Sequence, residues 1–254
     1  MMRLSRERKE RLKIKLKVLG SGSSGNCYIL ENDEEALIIE AGLPFIEVKK
    51  ALNFNVMKIK AVITTHLHSD HHRYCFQYIR AGIPVWEPVF KMIDGYRMSF
   101  GKESFNIQAF ENRDKSGRWL HNNGDGSECP CVGFYITHSD MGSLVYATDT
   151  EYVRWRFKDV NHIMVEANYD MQFVNREEPN YEHRLRGHMS LPTALDFIQT
   201  NDNAALRNVI LIHLSDKSGD PVLFKQKTEE TIKYGANVYV AESGLEVDMN
   251  LCPF

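Results

Sequence analysis

The sequence has no long apolar run and carries little net charge. None of its apolar runs approaches the roughly 20 residues that a membrane-spanning helix needs, and its N-terminus lacks the apolar core of a secretory signal. The formal net charge of −3 gives no bulk attraction to nucleic acid, so a polyanion would have to be held by a local patch or by metal ions. We therefore expect a soluble, cytoplasmic protein.

Cysteine is also scarce and shows no paired framework. The chain has five cysteines, an odd number, and they are widely scattered. Cys129 and Cys131 are separated by one residue rather than by the two that are usual in a zinc knuckle. This usage indicates reduced thiols in the cytoplasm, most of them small buried hydrophobic side chains. The other three are Cys27, Cys75 and Cys252.

The length and composition are those of an ordinary globular protein. The chain has 254 residues, of which 43% are hydrophobic and 26% charged. No linker, repeat or low-complexity tract divides it, and residues 1–12 contain little that can be buried. We predict a flexible leader over 1–12 and one domain over 13–254. The oligomeric state stays open, with a homodimer among the alternatives.

Apolar and β-branched runs alternate with segments of helical spacing. This order predicts an α/β (α+β) protein in which two β-sheets pack face to face, with helices on the outside. The predicted strands are 14–18, 27–30, 36–39, 60–64, 84–86, 105–110, 131–137, 143–147, 162–166, 209–212 and 238–241. The predicted helices are 46–52, 74–82, 87–95, 171–186, one after Ser190 and 221–234, and residues 111–130 are predicted to form a long loop.

The most informative stretch is a cluster of histidines directly after a predicted strand. His66, His68, Asp70 and His71 follow the apolar run 61–64. On a loop that leaves a strand, these side chains can converge on two metal ions rather than one. Imidazole and carboxylate together suit zinc, with manganese and iron as competitors. The alternative, a polar loop that is rich in histidine by chance, explains the spacing poorly.

Three more candidate ligands each follow an apolar strand. They are Asp149, Glu166 and His213. Functional side chains commonly lie on loops that follow the ends of strands, so polar groups repeated at strand ends indicate a site along one edge of a sheet. A carboxylate such as Asp149 can bridge two cations, which would lower the pKa of a bridging water and provide hydroxide near neutral pH. Asp70 could orient that hydroxide or accept its proton.

A further histidine is a candidate for proton transfer. His188 lies in a Gly-His-Met-Ser turn and could protonate a leaving oxygen, with Glu166 holding its other nitrogen. The alternative is a helix-capping region without chemistry. Arg184 and Arg186 nearby could clamp a phosphate, but they are equally consistent with a solvated helix face.

A loop rich in Gly and Ser ends the first predicted strand. Residues 20–26 (GSGSSGN) can turn sharply and point backbone N–H groups into a concavity that holds an oxyanion. Ser24 and Asn26 are therefore candidate substrate contacts. Loops of this composition are also commonly simple turns, so the loop alone is a weak signal.

Taken in order, these motifs resemble those of the metallo-β-lactamase-fold hydrolases. The run 66–71 matches the HxHxDH motif of that family. Thr148-Asp149-Thr150 is similar to its bridging-aspartate motif, and Ile212-His213-Leu214-Ser215 to its last histidine motif. The start of the chain, 20–28, resembles the bacterial and phage branch that includes 5′→3′ exonucleases. The segments 166–169 and 187–190 resemble the paired Glu and His segments of tRNA 3′-processing ribonucleases.

The resemblance implies a fold, metal ions and a reaction class. The fold is a four-layer αββα sandwich of two mixed β-sheets flanked by helices. The implied cofactors are two divalent ions, Zn²⁺ or Mn²⁺, and the implied reaction is hydrolysis of DNA or RNA phosphodiesters by a metal-bridging hydroxide. The same ligands also serve cleavage of thioesters, lactams and cyclic nucleotides, and a non-catalytic binding protein is a further alternative.

The sequence departs from the family pattern at one ligand. The family places a histidine after a strand like 105–110, where this chain has Asn112-Arg113-Asp114. His121, deeper in the loop, is the nearest histidine and the predicted ligand. His138 is its rival, although it lies in the predicted turn of the second hairpin. The predicted metal ligands are thus His66, His68, Asp70, His71, His121, Asp149 and His213.

Overall fold

The computed structural model describes residues 13–88, 96–177 and 181–251. The predicted leader at 1–12, most of the predicted helix 87–95, and Cys252 lie outside the described residues. Within the described ranges, no helix combines the length and the apolar character that crossing a membrane requires.

The described residues form β-strands, α-helices and two short 3₁₀ turns. The strands are β1 (Lys15–Gly20), β2 (Cys27–Glu31), β3 (Ala36–Ile39), β4 (Ile59–Ile63), β5 (Val85–Trp86), β6 (Arg97–Ser99), β7 (Asn106–Glu111), β8 (Val132–His138), β9 (Gly142–Ala147), β10 (His162–Glu166), β11 (Asn208–Ile212), β12 (Asn237–Val240) and β13 (Glu246–Asp248). The helices are α1 (Phe45–Ala51), α2 (Ser69–His72), α3 (Cys75–Arg80), α4 (Tyr181–Gly187), α5 (Leu191–Asn201) and α6 (Pro221–Thr231). The 3₁₀ turns are Val56–Lys58 and Met171–Phe173.

The strands build two mixed sheets. The first has the order β13-β1-β2-β3-β4-β5, with β3, β4 and β5 parallel and the other pairs antiparallel. The second has the order β12-β11-β10-β9-β8-β7-β6, in which β9 to β12 are parallel and β6 to β9 antiparallel. Both predicted hairpins, β2–β3 and β8–β9, are present.

Three apolar clusters separate four layers. The largest lies between the sheets and joins inward-facing residues such as Leu30 of β2 and Phe134 of β8. A second cluster packs α5 and α6 on the outer face of the second sheet, through residues such as Phe197 and Phe224. The third covers the outer face of the first sheet with α1 and α3. The predicted αββα sandwich is therefore confirmed.

Some elements differ from the prediction because distant contacts create them. β6 and β13 were not predicted. Each has three residues, and β13 pairs with Leu16 and its neighbours in β1, more than 200 residues earlier in the chain. The predicted helix 171–186 is wrong at its start, where Met171–Phe173 form a 3₁₀ turn, whereas its end is helical in α4. The predicted loop 111–130 contains two isolated β-bridges, Arg113 to Trp119 and Asn122 to Glu128.

One buried ion cluster ties the first sheet together. Glu31, at the end of β2, lies between the ammonium groups of Lys17 and Lys58. The Lys17 Nζ to Glu31 Oε1 distance is 2.6 Å, and the side chain of Glu31 is 10% exposed. Although burial raises the pKa of Glu31, the hydrogen bonds and charges of the two lysines lower it below its ordinary value.

Candidate metal centre

The parallel strands of the second sheet bring three predicted ligands to one edge. Glu166 ends β10, Asp149 lies just beyond β9, and His213 follows β11. Because these three strands are adjacent and parallel, their carboxyl ends meet at the same edge. Asp149 and His213 have the left-handed φ values of 50° and 54°, which are unusual for residues other than glycine. The chain therefore turns sharply where each side chain enters the site.

The first sheet contributes the histidine motif from the opposite side. The chain leaves β4, and His66 and His68 precede the single turn of α2, which carries Asp70 and His71. Gly42 allows this turn to approach closely, since a Cβ atom there would lie 1.8 Å from the carbonyl oxygen of Asp70. The same carbonyl accepts a hydrogen bond from the backbone N–H of Asn26 at 2.7 Å. The Gly/Ser loop thus holds α2 against the sheet.

Three histidines form the first potential metal site. The ligand atoms of His66, His68 and His121 all lie within 4.8 Å of one another. The Nε2 atom of His66 is buried and has no hydrogen-bond partner among the described residues. Burial lowers the pKa of His121 to about 3 and holds that of His66 well below its ordinary value. The imidazoles of His66 and His121 are therefore neutral, which is the form that binds a metal ion.

Carboxylates and histidines form the second potential site beside it. Asp70, His71 and His213 bring their ligand atoms within 4.8 Å, and Asp149 makes a similar group with His66 and His71. The Asp149 Oδ2 atom lies 3.0 Å from His71 Nε2. Asp149 thus shares neighbours with both sites.

The electrostatics of this second group favour a cation. Burial lowers the pKa of His213, but the carboxylates of Asp149, Asp70 and Glu166 together raise it to about 10. Burial raises the pKa of Asp149, and the charges of His213 and His71 hold it well below its ordinary value. The carboxylates therefore create a negative potential that a proton or a metal ion can neutralise.

His188 lies at the margin of this group in the predicted contact with Glu166. Its Nδ1 atom is 2.7 Å from Glu166 Oε1, which is also 2.9 Å from His213 Nδ1. The other oxygen of Glu166 accepts a hydrogen bond from the backbone N–H of Met189. With Nδ1 held in this way, proton exchange with a reacting group would use Nε2 of His188.

The structure separates the two rival histidines. His121 lies beside His68, with 3.0 Å between His121 Nε2 and His68 Nδ1, and its own Nδ1 donates to the carbonyl of Gly187 at 2.7 Å. His138 instead pairs with Glu35 at 2.9 Å, at the far end of β8. His121 is thus grouped with the predicted ligands and His138 is not, while ligation by His121 stays a prediction.

The other predicted contacts are distributed differently. Ser24 is exposed, whereas Asn26 is buried and its Oδ1 atom accepts from the backbone N–H of Gly22. Arg184 is buried and donates to Ser218 Oγ at 2.9 Å. Arg186 is exposed on α4, 3.9 Å from Glu182. Asn26 and Arg184 thus have structural contacts within the chain, and direct contact of any of these residues with substrate stays a prediction.

One residue beside the site was not predicted to belong to it. Glu40 is fully buried, and its Oε1 atom lies 2.7 Å from Thr65 Oγ1 and 3.2 Å from His71 Nδ1. Its backbone is also left-handed, with a φ of 65°. The available signal was an acidic residue at the end of a buried strand, the same pattern that identified Asp149 and Glu166.

Comparisons with known proteins agree with this architecture. The model of the metallo-beta-lactamase superfamily matches residues 20–72, from the Gly/Ser loop to the end of α2. Exodeoxyribonuclease WalJ of Streptococcus pneumoniae is 26% identical over 226 residues, which cover 80% of this chain and 82% of that protein.

Solved structures show the same fold at low sequence identity. The metallo-beta-lactamase fold protein YhfI of Bacillus subtilis superposes with a TM-score of 0.65 at 17% identity, covering 93% of this chain and 99% of that one. The short form of human tRNase Z gives a TM-score of 0.57 at 14% identity, covering 92% and 99%. The chain therefore has the metallo-β-lactamase fold, and its sequence is similar to that of a bacterial exodeoxyribonuclease over most of its length.

Proposed function

We propose that the protein is a metal-dependent nuclease that hydrolyses phosphodiester bonds of DNA or RNA. Similarity to WalJ and the fold both support a metal-dependent hydrolase of nuclease type. The observation that carries the proposal is the contact between His188 and Glu166 beside two groups of metal-binding side chains. A phosphodiester has a poor alkoxide leaving group, so a positioned general acid is worth about 10²–10⁴-fold in rate.

The side chains suit two divalent ions. The fold implies divalent metal ions. The Nε2 atom of His66 is buried and has no hydrogen-bond partner among the described residues, so a metal ion bound there would provide the missing partner. Imidazole with carboxylate favours Zn²⁺, with Mn²⁺ as the alternative. Two such ions, when bound, supply a hydroxide near neutral pH and neutralise charge on the phosphate. Asp149, which neighbours both groups, would be shared between them.

The chain's own residues would then orient and move protons. Asp70 Oδ2 lies 3.3 Å from both His71 Nε2 and His213 Nε2, and in the proposed reaction it would accept a proton from an attacking water. His188 would donate a proton from Nε2 to the leaving oxygen. Glu166 lies 2.7 Å from the opposite nitrogen and would orient the imidazole for this step.

A second candidate is a phosphodiesterase for cyclic nucleotides or other small molecules. The net charge of −3 favours it, because proteins that bind nucleic-acid polymers usually carry a basic groove. A protein without catalysis, which binds a partner through this fold, would require that the metal groups stay empty in solution.

The decisive experiment measures metal content and substrate choice together. We expect about two metal ions per chain after reconstitution with Zn²⁺ or Mn²⁺, and hydrolysis of single-stranded DNA or RNA in preference to cyclic nucleotides. His121→Ala should lose metal and activity, whereas the matched variant His138→Ala should keep both. Fewer than one ion per chain in the wild-type protein would refute both enzyme proposals, and a larger metal loss in His138→Ala would refute the ligand assignment.

A further inference from the structure

A segment rich in basic and aromatic residues leads directly away from the candidate metal centre. Residues 151–158 (EYVRWRFK) begin two residues after Asp149 and have no helix or strand. The backbone N–H of Glu151 donates to the carbonyl of Leu120 at 3.0 Å, next to His121. The segment therefore starts at the rim of the site.

Hydrogen bonds to two other parts of the chain hold this segment in place. Trp155 donates from Nε1 to the carbonyl of Glu111 at 3.1 Å, and the guanidinium of Arg154 lies 4.4 Å from the indole ring. Further along, the N–H of Phe157 donates to Asn201 Oδ1 at 2.6 Å. The side chains between these contacts are thus presented from an anchored backbone.

The segment exposes aromatic rings to solvent. Trp155 is 43% exposed and Tyr152 is 36% exposed, so parts of both rings are accessible from solvent. The ring of Trp155 is fixed at its edge by the Nε1 hydrogen bond and is flanked by a planar guanidinium. Rigid aromatic and guanidinium planes of this kind are surfaces on which unpaired bases stack.

The same segment carries a local positive charge in a chain of net negative charge. Arg154, Arg156 and Lys158 are all exposed. Among the described residues Arg156 forms no ion pair, and Lys158, whose side chain is 92% exposed, has only a 3.9 Å contact with its neighbour Asp159. The acidic Glu151 pairs with Arg118 at 2.7 Å, and Arg118 also contacts Asp114 at 3.1 Å. This is the local basic patch that a polyanionic substrate of a net acidic protein needs.

We propose that residues 151–158 bind the single-stranded part of a nucleic-acid substrate next to the metal centre. Bases would stack on Trp155 and Tyr152, while Arg156 and Lys158 would contact phosphates. Single strands fit better than a duplex, because stacking on a side chain requires bases that are not already stacked in a helix. This inference rests on the proposed nuclease function and names its substrate class.

The test compares binding and catalysis in the full-length, metal-loaded protein. Affinity is measured by fluorescence anisotropy with a single-stranded DNA whose phosphorothioate backbone resists cleavage, and catalysis with bis(p-nitrophenyl) phosphate. The double variant Arg156→Glu/Lys158→Glu should weaken DNA binding at least 10-fold and leave aryl phosphodiester hydrolysis unchanged. It should also reduce the slope of log K against log salt by about 1.4, at about 0.7 for each phosphate contact of a single strand.

Two further variants isolate charge from stacking. Trp155→Ala should weaken binding about 10-fold, and Trp155→Phe, which keeps a stacking ring, should recover most of that loss. The matched control Arg80→Glu/Lys233→Glu makes the same charge change at two exposed residues outside the segment and should leave affinity within about 2-fold.

The outcomes separate this inference from the proposed function. The inference would be overturned if Arg156→Glu/Lys158→Glu bound DNA with unchanged affinity, or if the control variant weakened binding equally. Hydrolysis of the aryl substrate would still support the proposed enzyme in either case. Tighter binding of duplex than of single-stranded DNA would also overturn it. A wild-type protein that does not hydrolyse any phosphodiester would refute the proposed function, even where the segment still binds DNA.

Discussion

Replacement of His188 is the sharpest test of the proposed proton donor. His188→Asn keeps a polar side chain but removes the imidazole that Glu166 holds at 2.7 Å. General acids contribute about 10²–10⁴-fold, so kcat on a DNA substrate should fall by that factor, equivalent to about 3–5 kcal/mol of transition-state free energy. The loss should come from the leaving-group step and should not come from binding.

The leaving group provides the diagnostic comparison. A nitrophenolate leaves without protonation, so kcat on bis(p-nitrophenyl) phosphate should fall less than about 10-fold in the same variant. Both rates are measured at saturating substrate together with metal content per chain. His72→Asn is the control, because His72 also pairs with a glutamate, from Nε2 to Glu87 Oε1 at 2.8 Å, but is not a predicted ligand or proton donor, and it should leave both rates unchanged.

Two results would refute this assignment. Equal losses on the alkyl and aryl substrates would mean that His188 does not protonate the leaving oxygen. Loss of a metal ion from His188→Asn would mean that His188 is a metal ligand instead. The ligand atoms of His188, Asp149, Glu166 and His213 lie within 4.8 Å of one another, which permits this alternative.

Two other variants test the supporting structure. Gly42→Ala should push α2 away from the sheet, cost about 1–3 kcal/mol of unfolding free energy and weaken metal binding, because its Cβ would meet the carbonyl of Asp70; metal titration and urea unfolding measure both effects. Gly124→Ala, where a Cβ meets nothing within 4 Å, is the control and should change neither. Glu31→Gln should cost about 1–3 kcal/mol at pH 7, because it leaves the two lysines without their carboxylate. The pKa of Glu31 is lowered in the folded state, so this stabilisation is present above the unfolded pKa of about 4.3 and is lost as pH falls through the folded pKa; a difference that stayed constant from pH 7 to pH 3 would contradict the assignment.

The sequence predicted those parts of the site that depend on local patterns. His66, His68 and His71 are spaced within one motif after a buried strand, and the structure brings them together. Asp149 and His213 could be predicted because each ends an apolar run, and parallel neighbouring strands deliver their ends to one edge. The sequence pattern thus indicates which residues end the strands, and the direction and register of the strands determine how close these residues lie.

The remaining features depend on contacts between distant segments. His121 lies in an irregular loop whose course is fixed by pairs such as Arg118 with Glu151 and by its own bond to the Gly187 carbonyl. No periodicity in that loop encodes such contacts. Glu40 was visible as an acidic strand end, but its position behind His71 follows only from the pairing of β3 with β4.

The left-handed backbone at Asp149 indicates that the site costs folding free energy. Asp149 has a φ of 50° where its carboxylate enters the centre, and a left-handed conformation costs a residue with a Cβ atom about 1–2 kcal/mol. Asp149→Ala and Asp149→Gly both remove the carboxylate and should both be inactive, but only glycine relieves the strain. The greater freedom of glycine in the unfolded chain offsets about 0.4–1 kcal/mol of this gain.

Metal-free Asp149→Gly should therefore be more stable than Asp149→Ala by about 0.5–1 kcal/mol in urea unfolding. The comparison is reversed two residues earlier, in β9, where Ala147 is buried in ordinary extended backbone and Ala147→Gly should destabilise the protein. If the alanine variant at 149 were as stable as the glycine variant, the turn would store no strain. If Asp149→Gly is the more stable variant, the rest of the fold holds residue 149 in a strained conformation. That conformation contributes nothing to stability and serves to position the Asp149 carboxylate in the site.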